Sequence, residues 1–264
     1  MGILNTTPDS FYHRGRYRDS HRAVVRALEM IDEGADIVDI GGEKAGPGEP
    51  VTLEEELSRV VPVVEALRRQ TAIPISVDTR KPRVALAAIA AGADMINSIS
   101  GFDDPALRRV AQRTEAAIVV MHTQGQPRVA NPHPRYRDVV AEVRQFLLDR
   151  TMACLEDGIL PERILVDPGP GFGKTTQHDI AVLRGLASFT SLPYPVVLAA
   201  SRKHFIGEIL GTDPEDRLEG SLAAVAWGVM QGVRVVRVHD VRASRQVCEM
   251  TEAVLNPIAI EATE

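Results

Sequence analysis

Asp167 ends the apolar run Ile164-Leu165-Val166 and opens a glycine-rich stretch, DPGPGFGKT, over residues 167–175. A carboxylate at the end of a buried strand is costly unless a cation or a hydrogen-bond donor meets it. An apolar run that stops at one or two polar groups occurs eight times along the chain. The groups so placed are Asn5, Glu43, Asp78, Asn97, His122, Asp167, Lys203, and Arg237 with His239. Each alone is a capped strand end or half of an ion pair, but together they divide by chemistry. Asp78, Asn97, Asp167 and Lys203 suit a polar heterocycle, since carboxylates accept from ring N–H and amino groups while an amide and an ammonium serve a carbonyl. Asn5, Arg237 and His239 suit a phosphate or pyrophosphate, with arginine as the bidentate fork. Arg237 and His239 lie two apart, so on a strand both point the same way.

Other chemistries find little support. A P-loop needs glycine five residues before its Gly-Lys-Thr, and that position is Pro168. The looser reading is a backbone that passes close to a ligand, or a mobile loop. The seven histidines lack zinc-ligand spacing, and neither HExxH nor CxxC occurs. Ser201 has no glycine-elbow context, and His133, among prolines, reads as a surface residue.

The elements that must position these groups follow from periodicity. Strands are expected to end at Asn5, at Ile40, Val77, Ile96 and Met121, then at Asp167, Leu198 and Val236. Amphipathic helices stand between them: one from near Ser20 closed by Gly34, one capped by Thr52 with Glu55 as a capping box, one capped by Asp104, and one from Val139 to Leu155. A helix from about Gln177 to Leu186 follows the glycine-rich stretch, and the chain closes with a helix from about Val241 to Leu255. Residues 2–5 read as the end of a strand, which is expected to begin upstream of Met1. Eight strand–helix units without a linker imply parallel pairing through right-handed crossovers. At 264 residues they point to an α/β fold, a single (β/α)8 barrel spanning residues 1–264, with an open doubly wound sheet as runner-up. A barrel gathers all eight carboxyl strand ends on one face.

Hydrophobic content of 44% supports a real core, and no run approaches the ~18 apolar residues of a membrane span. A net charge of −6 argues against general nucleic-acid affinity. Two cysteines, Cys154 and Cys248, suggest neither disulfides nor zinc, and no signal or transit pattern opens the chain. A reducing cytosol is expected.

The stretches MGILNTTPDSF, SVDT, DPGPGFGKT, SRKHFIG and RVHD, in this order, resemble the dihydropteroate synthases of the pterin-binding barrel family. The resemblance spans essentially the whole chain. It implies that 6-hydroxymethyl-7,8-dihydropterin pyrophosphate is joined to p-aminobenzoate with release of pyrophosphate. It implies catalytic roles for Asp78, Asp167 and Lys203, and a pterin site of Asp78, Asn97, Met121, Asp167 and Lys203. Asn5, Arg237 and His239 would bind the pyrophosphate, with Asn5 the ligand of a magnesium ion. Phe172, Ser201 and Lys203 would border the p-aminobenzoate, and a homodimer is expected through the late helices, with Val247, Val254 and Leu255 available. Three departures stand out. Ala45 and Gly46 replace the Thr and Arg usual in the second loop, Tyr12-His13-Arg14-Gly15 replaces Ser-Asp-Gly-Gly in the first, and Ser98 replaces an acid. They raise a second expectation, a paralogue that binds pterin with little turnover. A pterin-dependent methyltransferase on the same barrel ranks last, because it leaves SRK and RVHD unexplained.

Overall fold

Runs such as Ile118-Val119-Val120 are apolar on both faces because they become strands with packing on both sides. The computed structural model describes residues 1–6, 16–46, 48–126, 128–129 and 131–256. The altered stretch Tyr12 to Gly15 lies outside the described residues. The strands are β1 (Gly2–Asn5), β2 (Val38–Gly41), β3 (Ile75–Asp78), β4 (Met95–Ser98), β5 (Ala117–Met121), β6 (Ile164–Asp167), β7 (Val197–Leu198) and β8 (Val235–Val236). Among them run α1 (Arg16–Asp32), α2 (Leu53–Arg68), α3 (Pro82–Ala90), α4 (Pro105–Thr114), α5 (Val139–Glu156), α6 (Thr176–Arg184), α7 (Leu186–Thr190), α8 (His204–Leu210), α9 (Leu218–Met230) and α10 (Val241–Leu255).

β1 to β6 form one parallel sheet in chain order, and β7 pairs with β8. Parallel bridges Val166–Val196 and Gly2–Val238 join the two pieces at both seams. Val166 N–H donates to the Pro195 carbonyl at 3.0 Å, and Ile3 N–H to that of Val238 at 2.9 Å. The sheet therefore closes on itself, and the open doubly wound alternative falls.

Strand alternation then builds the site in layers. Met1, Met95, Val119 and Val197 pack with Ile37, Ala117, Leu165 and Val235 into a small apolar plug inside the barrel. Two residues further along the same strands stand Asp39, Asn97, Met121, Asp167 and Arg237. A period of two returns them to the same side, so a polar layer sits directly above an apolar one. The opposite faces of the strands, with Ile40, Val77, Ile118 and Val166, meet Val64, Leu67, Leu107 and Leu147 of the surrounding helices in the main core.

Local differences have local causes. Thr52 caps α2 by accepting from Glu55 N–H at 3.2 Å, but the return arm of the expected capping box is missing because the Glu55 carboxylate turns to Arg59. Asp104 caps α4 as expected, accepting from Ala106 N–H at 2.7 Å. The helix after β6 breaks at Gly185, where a Cβ would lie 2.8 Å from Val140, and continues as α7. Within the glycine-rich stretch, two glycines pass close to protein backbone. A Cβ on Gly169 (φ +64°) would fall 1.9 Å from the His122 carbonyl oxygen, and one on Gly173 2.2 Å from that of Gln124. Gly211 (φ +66°) has the same backbone conformation with nothing within 4 Å. Substituting alanine at Gly211 should therefore cost only the left-handed penalty, about 1–2 kcal/mol. Gly169→Ala should cost about 3 kcal/mol or more, because backbone must also move. Denaturant midpoints of the two variants check this, and equal losses would refute the overlap.

Candidate active site

Asp39 is fully buried inside the barrel, and its charge is met from the far wall. Arg237, just past β8, donates from Nε to Asp39 Oδ2 at 2.6 Å and from Nη2 to Asp78 Oδ2 at 2.8 Å. Asn97 Nδ2 donates to the same Asp39 oxygen at 3.2 Å. One guanidinium thus spans two carboxylates from β2 and β3, with an amide from β4 beside them. Among the described residues, Asp39 Oδ1 is buried without a hydrogen-bond partner and Arg237 Nη1 makes no hydrogen bond, so the cluster keeps one free acceptor and free donors. Sequence reasoning missed Asp39, which interrupts an apolar strand instead of ending it. A lone carboxylate within a buried run was the available signal.

Asp167 stands on β6 opposite Met121 in the β5 register, and both are buried. Its Oδ1 accepts from Gly169 N–H at 2.7 Å. Lys203 lies within electrostatic reach of Arg237, Asp167, Asp179 and Asp78, and its Nζ sits 3.8 Å from the centroid of the Phe172 ring. Ser201 Oγ accepts from His239 N–H at 3.2 Å and lies 3.0 Å from His239 Nδ1. A hydroxyl that already accepts can give its proton to Nδ1, which leaves the ring proton on Nε2. Two motifs explain each other here: Arg202 of SRK forks onto Asp240 of RVHD through two 2.8 Å bonds, which fixes Ser201 and Lys203 beside His239.

Asn5 ends β1 level with Gly41, itself level with Asp78, which is level with Asn97. The expected pterin and phosphate halves therefore share one rim, joined by Arg237. Two of the nine strand-end groups do not belong to it. His122 packs edge-on against Phe146 and meets Lys174 Nζ at 2.8 Å, behind the glycine-rich loop. Glu43 anchors its own loop, accepting from Val51 N–H at 2.8 Å. His133 is exposed, as expected. Lys174 also donates to the Gly169 and Phe172 carbonyls, holding the Phe172 loop from beneath.

Burial governs the protonation of this layer. It pushes the Asp78 carboxyl up to about 7, against the pull of Arg237 and aided by Asp39. It raises Asp167 to about 6, against the Gly169 N–H and Lys203. Lys203 is lowered to about 8 by burial and then by Arg237. His239 is lowered to about 4 by the same two causes, so its imidazole is neutral at pH 7.

A closed (β/α)8 barrel whose mouth holds acids, an amide and cations around a small polar cup is an enzyme scaffold built for a flat nitrogenous ligand with an anionic tail. Over residues 1–239 the chain matches the family described as pterin binding enzyme, and it belongs to that family. The dihydropteroate synthase of Bacillus subtilis is 44% identical over 258 residues, 97% of this chain and 88% of that protein. Dihydropteroate synthase of Xanthomonas albilineans with 4-aminobenzoic acid superposes with a TM-score of 0.90 at 43% identity, covering 97% of this chain and 92% of that one. The same enzyme in complex with 7,8-dihydropteroate gives 0.87 at 42% identity, with coverage of 97% and 92%.

The raised Asp167 carboxyl has a stability consequence. Its folded-state value of about 6 lies above the ordinary 3.8, so the native state holds the proton more tightly and loses stability as pH rises from about 4 to about 6. Asp167→Asn should therefore raise the melting temperature of the ligand-free protein at pH 8, by on the order of 2–3 kcal/mol in stability, with a smaller gain at pH 4. Thermal melts at the two pH values check it. A lower melting temperature at pH 8 would overturn the assignment.

Proposed function

We propose that this protein is a dihydropteroate synthase, joining 6-hydroxymethyl-7,8-dihydropterin pyrophosphate to p-aminobenzoate and releasing pyrophosphate. The observation that carries this reading is Arg237 held between Asp39 and Asp78 beside Asn97, in a chain matched over residues 1–239 to pterin binding enzymes. Asp78 and Asp167 accept from the ring N–H and amino groups of the pterin, while Asn97 and Lys203 serve its carbonyl, over Met121. Arg237 has donors left for the pyrophosphate, and neutral His239 offers Nε2–H beside them. Phe172, Ser201 and Lys203 border the p-aminobenzoate.

The residues favour a dissociative substitution. The bond from the pterin methylene to the pyrophosphate oxygen breaks with both electrons leaving on pyrophosphate, whose charge the cations of the rim stabilise. Asp78 and Asp167 stabilise the pterin cation. The aromatic amine then attacks the methylene carbon and loses a proton. Among the described residues no group of three His, Cys, Asp or Glu could hold a metal alone. Asn5 offers one hard oxygen, which suits a magnesium ion shared with substrate phosphates and water. Such an ion would neutralise leaving-group charge. We place the protein in the cytosol, where its two free thiols Cys154 and Cys248 stay reduced. We read the exposed apolar side chains of Ile209, Leu210 and Trp227 on α8 and α9 as a homodimer face. Of the late-helix positions expected there, Val254 and Leu255 are exposed, whereas Val247 packs against the core.

A second reading, pterin binding with little turnover, is favoured by Ala45 and Gly46, which bring no side-chain charge to the second loop. Turnover of both substrates with magnesium decides between the two. Pterin binding without product, restored by Gly46→Arg, would replace the first reading with the second. Asp167→Asn should weaken pterin binding at least about tenfold, the loss of a hydrogen bond to a charged group, and unchanged affinity by calorimetry would contradict its role. The reaction needs both carboxylates ionised and Lys203 protonated, so kcat/KM should rise towards pH 7 and fall above about pH 8. A profile flat from pH 6 to pH 10 would contradict these roles.

A further inference from the structure

The loop between β2 and α2 forms one wall of the barrel mouth, and a side chain from another loop holds it. Arg128 follows β5, yet its Nη1 donates to the carbonyls of Lys44 (2.7 Å) and Gly46, and its Nη2 to that of Glu49 (2.7 Å). The Arg128 carbonyl accepts from Gly48 N–H at 3.1 Å, so the two loops grip each other in both directions. Arg128 Nε lies 3.6 Å from Glu43 Oε1, the carboxylate that also anchors Val51 N–H. The Arg128 backbone is left-handed at φ +68°, a conformation that persists in a non-glycine residue when its surroundings over-determine it. Gly48 is the matching concession, since a Cβ there would lie 2.7 Å from Arg128 Nη2. Between these loops and Phe172 lies a cavity of about 260 Å³, whose lining includes Ala45, Gly46, Gln124 and Arg128.

We propose that Arg128 is a positioning residue, a latch that orders the loop after β2 before any ligand arrives and so preforms the slot facing Phe172. A guanidinium seated on three carbonyls has those donors committed, so it acts on substrate through the wall it holds. An ordered wall lowers the entropic cost of docking a flat ring against Phe172. That the ring is the aromatic amine rests on the function proposed above, whereas the latch itself rests only on the loop geometry.

Hydrogen–deuterium exchange of the ligand-free full chain tests the latch. Amides of Lys44, Ala45, Gly46, Gly48, Glu49 and Val51 should exchange at least about tenfold faster in Arg128→Ala, with β-strand amides unchanged as the control for folding. Arg128→Lys should recover less than half of the lost protection, because a point charge cannot fork onto several carbonyls. Gly48→Ala, which pushes on the same guanidinium from the other side, should also speed exchange. In steady state, Arg128→Ala should raise KM for p-aminobenzoate about tenfold with kcat within about twofold. Unchanged exchange in Arg128→Ala overturns the latch, and faster exchange with unchanged KM overturns its positioning role. A wild-type protein without turnover would sink the proposed function, while the exchange difference would still decide the latch.

Discussion

The charged layer inside this barrel depends on Arg237 reaching across the interior to Asp39 and Asp78. β8 is not a hydrogen-bonded neighbour of β2 or β3, so the contact ties walls that backbone pairing leaves apart. Each partner would be expensive alone, since a carboxylate or guanidinium left unpaired in a closed interior costs several kcal/mol. The barrel makes the pairing possible by closing, and the pairing makes a charged interior layer tolerable. Neither sequence-local propensity nor helix packing could substitute for it, because the three residues are 39 to 198 positions apart.

The layered interior explains why such a cluster does not unfold the protein. The apolar plug of Met1, Met95, Val119 and Val197 excludes water from below, and the much larger core between strands and helices stabilises the barrel independently of the cup. The polar layer is thus carried by the rest of the fold, as expected for groups whose protonation is displaced by burial. Asp78 and Asp167 pulled upwards, with Lys203 pulled downwards, bring acids and cation towards neutral pH from opposite sides.

Much of this architecture was legible in the sequence because a buried strand ending in a polar residue leaves an abrupt edge. Asp78, Asn97 and Asp167 were readable on that edge. Two failures follow from one physical fact, the period of two. His122 sits one residue beyond Met121, so where Met121 faces the cup His122 faces away, towards Phe146. Asp39 lies two residues before Gly41 and faces inward within its run, where a reading confined to strand ends does not look. The capping box at Thr52 failed for another reason: Arg59, one turn along α2, competes for the Glu55 carboxylate. Arg128 carried no periodic signal, because a loop side chain that crosses some 80 residues has no local pattern.

The same contrast separates two kinds of order in one site. Asn5, Asp78, Asn97 and Asp167 inherit their positions from β-ladder register, so they move only if strands slip or the barrel opens. The mouth is positioned by single long side chains: Arg202 forks onto Asp240, Lys174 sits under the Phe172 loop, and Arg128 crosses to the loop after β2. A ladder fails cooperatively, whereas a side-chain tether fails one residue at a time and at a fraction of the global free energy. Groups proposed to hold the pterin ring therefore belong to the rigid part of the molecule, and those proposed to border the second substrate to the part a single substitution can loosen. A departure such as Ala45 and Gly46 is accommodated at the mouth for this reason: the loop that carries it is fixed through its carbonyls, which any residue type supplies.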